Sequence, residues 1–123
     1  MSIHESGENY LETILLLSKK KSEVRSIDIV NELNLSRPSV SRAMSILKND
    51  GLITIDSGGF IPLSAEGLAI AERIYERHHI ITDVLIRLGV PEEIAAQDAC
   101  KIEHDLSDES FECIKKHIAQ YGK

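Results

Sequence analysis

The chain has 123 residues, 42% of them hydrophobic and 28% charged, with a formal net charge of −6. This is the balance of one globular domain, or of two small lobes sharing a core, and it excludes a low-complexity or disordered chain. No apolar run approaches the roughly 20 residues needed to cross a bilayer, and MSIHESGENY has neither the basic start nor the apolar centre of a secretory signal. A cytoplasmic protein with Cys100 and Cys113 as reduced thiols is expected, and no membrane partner.

In chain order, Ser6 can cap a first helix whose apolar stripe is Tyr10, Leu11, Ile14, Leu15 and Leu17. The helix ends near Lys20, and the cations at 19–21 suit a helix C-terminus. Ser26 can cap a short second helix in which Ile27, Val30 and Leu33 recur every third residue. After the turn LNL comes a third helix, with Ser36 as N-cap, Pro38 in the first turn and Gly51 as the stop. Val40, Ala43, Met44 and Leu47 form its apolar face.

The period then changes. LITI, DSGG and FIPL read as a β-hairpin with a glycine-containing turn and Pro62 at an edge. Ser64 caps a long fourth helix ending at Gly89, with Gly67 a slight weakness in its first turn. Pro91 opens a fifth helix, and Ser107 caps a sixth. Three short helices and a hairpin make a winged helix-turn-helix, in which the third helix enters the DNA major groove. The fold expected is mainly α: a winged helix-turn-helix DNA-binding domain over residues 1–63, then a helical domain over 64–123.

On the third helix, Ser36, Arg37, Pro38, Ser39, Ser41 and Arg42 are the candidate DNA contacts. Short hydroxyl side chains let the backbone approach phosphates, arginine can reach phosphate or guanine edges, and Pro38 can press on a thymine methyl. The hairpin tip, Ser57–Gly59, carries no basic residue. An acidic chain is a poor nucleic-acid binder on average, but the charge is uneven. Residues 1–63 hold seven basic and eight acidic residues, and residues 64–123 hold seven and twelve.

The acidic half contains QDACKIEHDLS, in which Cys100, Glu103 and His104 share one helical face. A thiol, a carboxylate and an imidazole form a good metal-ligand set. Asn9 and Glu12, three apart on the first helix, and His78 on the fourth offer further donors for one or two cations. Oxygen donors favour Mn(II), whereas the thiolate and imidazoles shift preference toward Fe(II), Co(II), Ni(II) or Zn(II). Each residue also has a plainer reading: Cys100 as a small core hydrophobe, Glu103 and His104 as a surface pair, His78 as a hydrogen-bonded histidine.

GENYLETILLL, SRPSVSRAMSILKNDGLI, PLSAEGLAIAERIYERHHII and DACKIEHDLSDES together resemble the diphtheria-toxin-repressor family of metal-dependent transcriptional repressors over residues 5–120. The short manganese-transport-regulator branch is nearest in length, and the longer branch's SH3-like domain is not expected. The resemblance implies that residues 64–123 are a helical metal-binding and dimerisation domain, and that the chain forms a homodimer in which Mn(II) or Fe(II) binds between the two domains. The metal sets the DNA-reading lobes on a palindromic operator of double-stranded DNA, typically at metal-uptake genes. It implies Asn9, Glu12, His78, Cys100, Glu103 and His104 as ligands. Asn9 replaces the Asp of the manganese branch and the Met of the iron branch. Cys100 sides with iron, against the Glu of the manganese branch. Thr82 and Ala96 occupy the iron branch's ancillary-site positions, so that site is lost in its iron form. A hybrid site built around Glu103, holding one or two metals, follows.

The competing reading is a metal-independent winged-helix regulator whose Cys–Glu–His cluster is structural or empty. A protein-interaction module would bind no operator. An enzyme is not expected, because no nucleophile constellation, phosphate-cradling glycine motif or substrate loop accompanies the donors.

Overall fold

The computed structural model describes residues 5–121, and the expectation of a mainly helical chain is met. Six helices run through these residues: α1 (Glu5–Lys20), α2 (Ser26–Leu33), α3 (Arg37–Asn49), α4 (Ala65–Arg87), α5 (Glu92–Asp105) and α6 (Asp108–Tyr121). They gather into two compact units, one closing at Arg73 and the other opening at Ile74, so the division falls within α4. The boundary read from the sequence, after residue 63, falls where the hairpin gives way to α4.

The core of the first unit is aliphatic. Leu11 and Ile14 of α1, Ile29 of α2 and Val40, Met44 and Leu47 of α3 are all buried, together with Leu52, Ile53 and Ile61 beyond α3. Complete burial of such side chains contributes about 1.5–3 kcal/mol each before chain entropy is counted. On α2 the fully buried residue is Ile29, while Ile27, Val30 and Leu33 are half-buried, so the expected stripe is rotated by part of a turn.

Two helix starts differ from the sequence reading. Helix α1 begins at Glu5, which places Ser6 within the first turn and not at the cap; its side chain lies outside the described residues. Helix α2 takes Arg25 as its N-cap residue, with Ser26 already helical. The free amide of Arg25 donates to Asp28 Oδ2 at 2.8 Å, and Lys21 Nζ donates to Asp28 Oδ1 at 2.9 Å. The Arg25 amide, followed by the Lys21 ammonium, holds the Asp28 carboxyl below its ordinary value of 3.8. Asn34 then ends α2 in the left-handed conformation, at φ 56°. Ser36 caps α3 as expected, its Oγ accepting the Ser39 amide at 3.2 Å.

The hairpin forms without a regular strand among the described residues. Ile53 and Leu63 make one antiparallel bridge, and Thr54 N–H to Pro62 O (3.1 Å) and Asp56 N–H to Phe60 O (3.0 Å) continue the pairing. Asp56 Oδ1 builds the tip by accepting the amides of Gly58 at 2.9 Å and Phe60 at 3.0 Å. A third segment joins: Arg25 bridges Phe60, and Ile61 N–H donates to Val24 O at 2.8 Å. The Arg25 guanidinium lies 4.5 Å from the Phe60 ring centroid.

Ser64 joins the hairpin to α4. Its Oγ accepts the Gly67 amide at 3.0 Å and donates to Gly51 O at 2.7 Å. Gly67 has a stronger reason to be glycine than propensity would suggest. A Cβ there would lie 2.0 Å from the carbonyl oxygen of Leu52, which is backbone and cannot swing away.

In the second unit Ile74 and Ile81 of α4, Ala95 and Ala99 of α5 and Phe111 of α6 are buried. Gly89, at φ 104°, turns the chain after α4, and Ser107 caps α6 by accepting the Ser110 amide at 3.1 Å. Lys115 of α6 reaches Glu76 of α4 at 3.2 Å.

Gly67→Ala should lower stability by about 1–3 kcal/mol, the usual cost of an overpacked contact that only backbone movement can relieve; thermal unfolding followed by circular dichroism checks it. Asp28→Asn should destabilise the protein at neutral pH. A carboxyl held below its ordinary value contributes stability above that value and loses it as pH falls through the folded-state range. The difference between variant and parent therefore shrinks as pH is taken below 3.8, which urea unfolding at a series of pH values measures.

Candidate metal centre

The second unit brings four of the six expected ligands together. Cys100, Glu103 and His104 lie in the last turns of α5, and one donor atom from each falls within 4.8 Å of the others. From α4, His78 Nδ1 stands 3.3 Å from Glu103 Oε2, while His104 Nε2 stands 3.5 Å from Glu103 Oε1. The Glu103 side chain is 0% exposed and that of His104 2%, whereas His78 keeps 27%.

Neither oxygen of Glu103 accepts a hydrogen bond among the described residues. A buried carboxylate in that condition carries several kcal/mol of uncompensated desolvation. A facing imidazole nitrogen that turns its lone pair to the carboxylate at 3.3–3.5 Å repels it. A divalent cation relieves both problems. It supplies the charge that the carboxylate lacks and accepts the imidazole lone pairs, and the thiolate of half-buried Cys100 adds a soft donor. The donor set therefore fits a borderline transition metal.

Asn9 and Glu12 stand on α1 in the first unit, three positions apart and both half-buried. Thr82 Oγ1 is buried without a hydrogen-bond partner in the second unit, and Ala96 is half-buried.

On α3, Arg37, Pro38, Ser41 and Arg42 are exposed and Ser39 is half-buried. The Ser36 hydroxyl donates to Ser39 Oγ at 2.8 Å, so both serines take part in the cap. Three residues that the sequence reading passed over stand out. Arg25 is an exposed cation fixed against Phe60 of the hairpin. Ile46 is 60% exposed on α3, four residues after Arg42. Arg77, next to His78, is 5% exposed. For Arg77 a signal was present: it falls between Ile74 and Ile81 on the buried stripe of α4, where an aliphatic residue would be expected.

Two family profiles match the chain. Residues 2–57 match the N-terminal DNA-binding domain of the iron-dependent repressors, and residues 64–122 match their metal-binding and dimerisation domain. The chain belongs to the iron-dependent repressor family. It is 33% identical over 115 residues to the transcriptional regulator MntR of Escherichia coli O6:H1, covering 94% of this chain and 74% of that protein. It is 32% identical over 119 residues to an uncharacterised HTH-type transcriptional regulator of Methanocaldococcus jannaschii, covering 95% of each. Among solved structures, that of the manganese regulator SloR superimposes with a TM-score of 0.82 at 25% identity, covering 97% of this chain and 55% of SloR. The chain thus spans about half the length of that structural relative. The expected fold class is met, with an N-terminal DNA-binding domain followed by a helical metal-binding and dimerisation domain, and so is the expected role as a metal-dependent transcriptional repressor.

Glu103→Gln should leave the metal-free protein at least as stable as the parent, since it removes a buried charge that no donor satisfies. It should also abolish the rise in thermal midpoint on adding Mn(II), a rise worth about 2.7 kcal/mol at one hundred times Kd. Differential scanning calorimetry with and without metal reads both effects.

Proposed function

We propose that the protein is a cytoplasmic homodimer that binds a palindromic operator when loaded with Mn(II) or Fe(II) and represses metal-uptake genes. In this reading residues 1–63 read DNA, and residues 64–123 bind metal and form the dimer. The observation that carries it is the buried carboxylate of Glu103, which lacks hydrogen bonds and has two imidazoles and a thiol around it. A site kept in that condition is built for a cation.

His78, Cys100, Glu103 and His104 hold the metal, with Asn9 and Glu12 as the further donors that the family resemblance implies. One or two ions fit such a set, and Co(II), Ni(II) or Zn(II) can substitute in vitro. Asn9 in place of Asp lowers the charge of the donor set and Cys100 in place of carboxylate raises its softness, so Fe(II) competes better here than at an all-oxygen site. A metal that binds the DNA-competent conformation more tightly shifts the population toward it, and DNA then tightens metal binding by the same factor.

On α3, Arg37, Pro38, Ser41 and Arg42 face DNA, and Ser36 and Ser39 organise the helix start beside the phosphates. For the dimer, the exposed Ile94 and Ile102 of α5, with the half-buried Leu106, Ile114 and Ile118, offer apolar surface to a second copy.

The test is an anaerobic titration of metal-stripped protein against its own upstream DNA, with chelator, Mn(II) or Fe(II), at fixed salt because salt alters such affinities strongly. Tight binding only with metal is the expected result. Equal binding with chelator would make the protein a metal-independent winged-helix regulator. Arg42→Ala should cost about 1–3 kcal/mol of operator affinity if it reads a base edge.

A further inference from the structure

The metal ligands of the second unit come from two helices, His78 from α4 and Cys100, Glu103 and His104 from α5. Among the described residues, Glu103 receives no hydrogen bond that would hold its carboxylate in place. Its 3.3 Å approach to His78 therefore depends on how the end of α5 is fixed to α4. Arg77, the residue before His78, makes such a connection. It is buried with its guanidinium at the α5–α6 junction. Its Nη2 donates to the carbonyl oxygen of Leu106 and, at 3.4 Å, to that of Ser107. Its Nη1 donates to Asp108 Oδ1 at 3.3 Å, and the guanidinium lies 5.0 Å from the Phe111 ring centroid.

Leu106 is two residues beyond His104 and three beyond Glu103. The Leu106 carbonyl that Arg77 holds is the cap of α5, one of those a helix leaves without internal partners, and the Ser107 carbonyl opens α6, where it also accepts the Phe111 amide at 3.0 Å. The planar guanidinium suits this task, since its donors reach two carbonyls and a carboxylate from one side chain, and lysine has no such fork. Burial of a cation also has a cost, and Asp108 is a partial counter-charge because its side chain is 74% exposed. Plain packing of α4 on α5 could be achieved more cheaply by an aliphatic residue in line with Ile74 and Ile81.

We infer that Arg77 is a positioning residue for the metal centre, holding the end of α5 so that Cys100, Glu103 and His104 converge with His78. The inference rests on the proposed metal-sensing function. Arg77 does not touch the metal; it sets the register of those that do. Residues in this role typically change metal affinity 10- to 100-fold when removed.

Co(II) is the probe, because its visible absorption reports ligand number and geometry. Intact parent protein is titrated first, and absence of a Co(II) spectrum there would sink the metal reading itself. Given a parent spectrum, Arg77→Met, which keeps the aliphatic stem, should weaken Co(II) binding about tenfold or more and shift the absorption bands at saturation. Arg77→Lys should fall between the two. A merely structural role would lower thermal stability yet leave the saturated spectrum and affinity unchanged, and that result would overturn the proposal. Should Arg77→Met fail to fold, Asp108→Asn decides: a several-fold loss of Co(II) affinity supports the clamp, and parental affinity with a parental spectrum removes it.

Discussion

The burial of one carboxylate is the constraint to which the second unit answers. Glu103 is 1% exposed, and neither of its carboxylate oxygens accepts a hydrogen bond among the described residues. In a chain folded for stability alone that position would hold an aliphatic residue, since Ala95 and Ala99 precede it on the same buried face of α5. The carboxylate tolerates its place only with a compensating charge, so folding energy and ligand binding are coupled there. The twelve acidic residues of the C-terminal half set the same bias at longer range, favouring a cation and disfavouring an anion.

That coupling explains why a small helical unit with few aromatic residues can act as a sensor. A metal that joins donors from α4 and α5 contributes stability that the apolar core lacks, and it does so only when the ion is present. The arginine clamp at the α5–α6 junction is the ion-independent part of the same arrangement. It satisfies the helix-end carbonyl of Leu106 with or without a cation, whereas the Glu103 oxygens accept no hydrogen bond among the described residues and gain a partner when a cation binds.

Much of this was legible in the sequence, for local reasons. The i, i+3, i+4 spacing of Cys100, Glu103 and His104 fixes a shared helical face whatever the helix packs against. Ser36, Ser64 and Ser107 announce three helix starts because N-caps are local chemistry. What the sequence concealed depends on contacts distant along the chain. The full burial of Glu103 follows from what covers α5. Gly67 reads as a weak helix former until Leu52 O is found against it. Ile29 displaces Ile27 as the buried residue of α2 because tertiary packing selects the face. Arg25 replaces Ser26 as the N-cap residue since Asp28 can reach back to its amide, a one-residue shift that side-chain preference alone does not resolve.

The hairpin carries a consequence for the order of events in folding. Its tip is closed by Asp56 across only two to four residues, a loop that forms early and at little entropic cost. Its returning arm is fixed by the pairing of Val24 and Arg25 with Phe60 and Ile61, segments that meet only after the intervening helices have packed. Loop-closure entropy makes such distant pairing late. The hairpin thus starts as a loose turn and becomes a fixed wing only when the three-helix core is in place, so the surface offered to DNA is completed last.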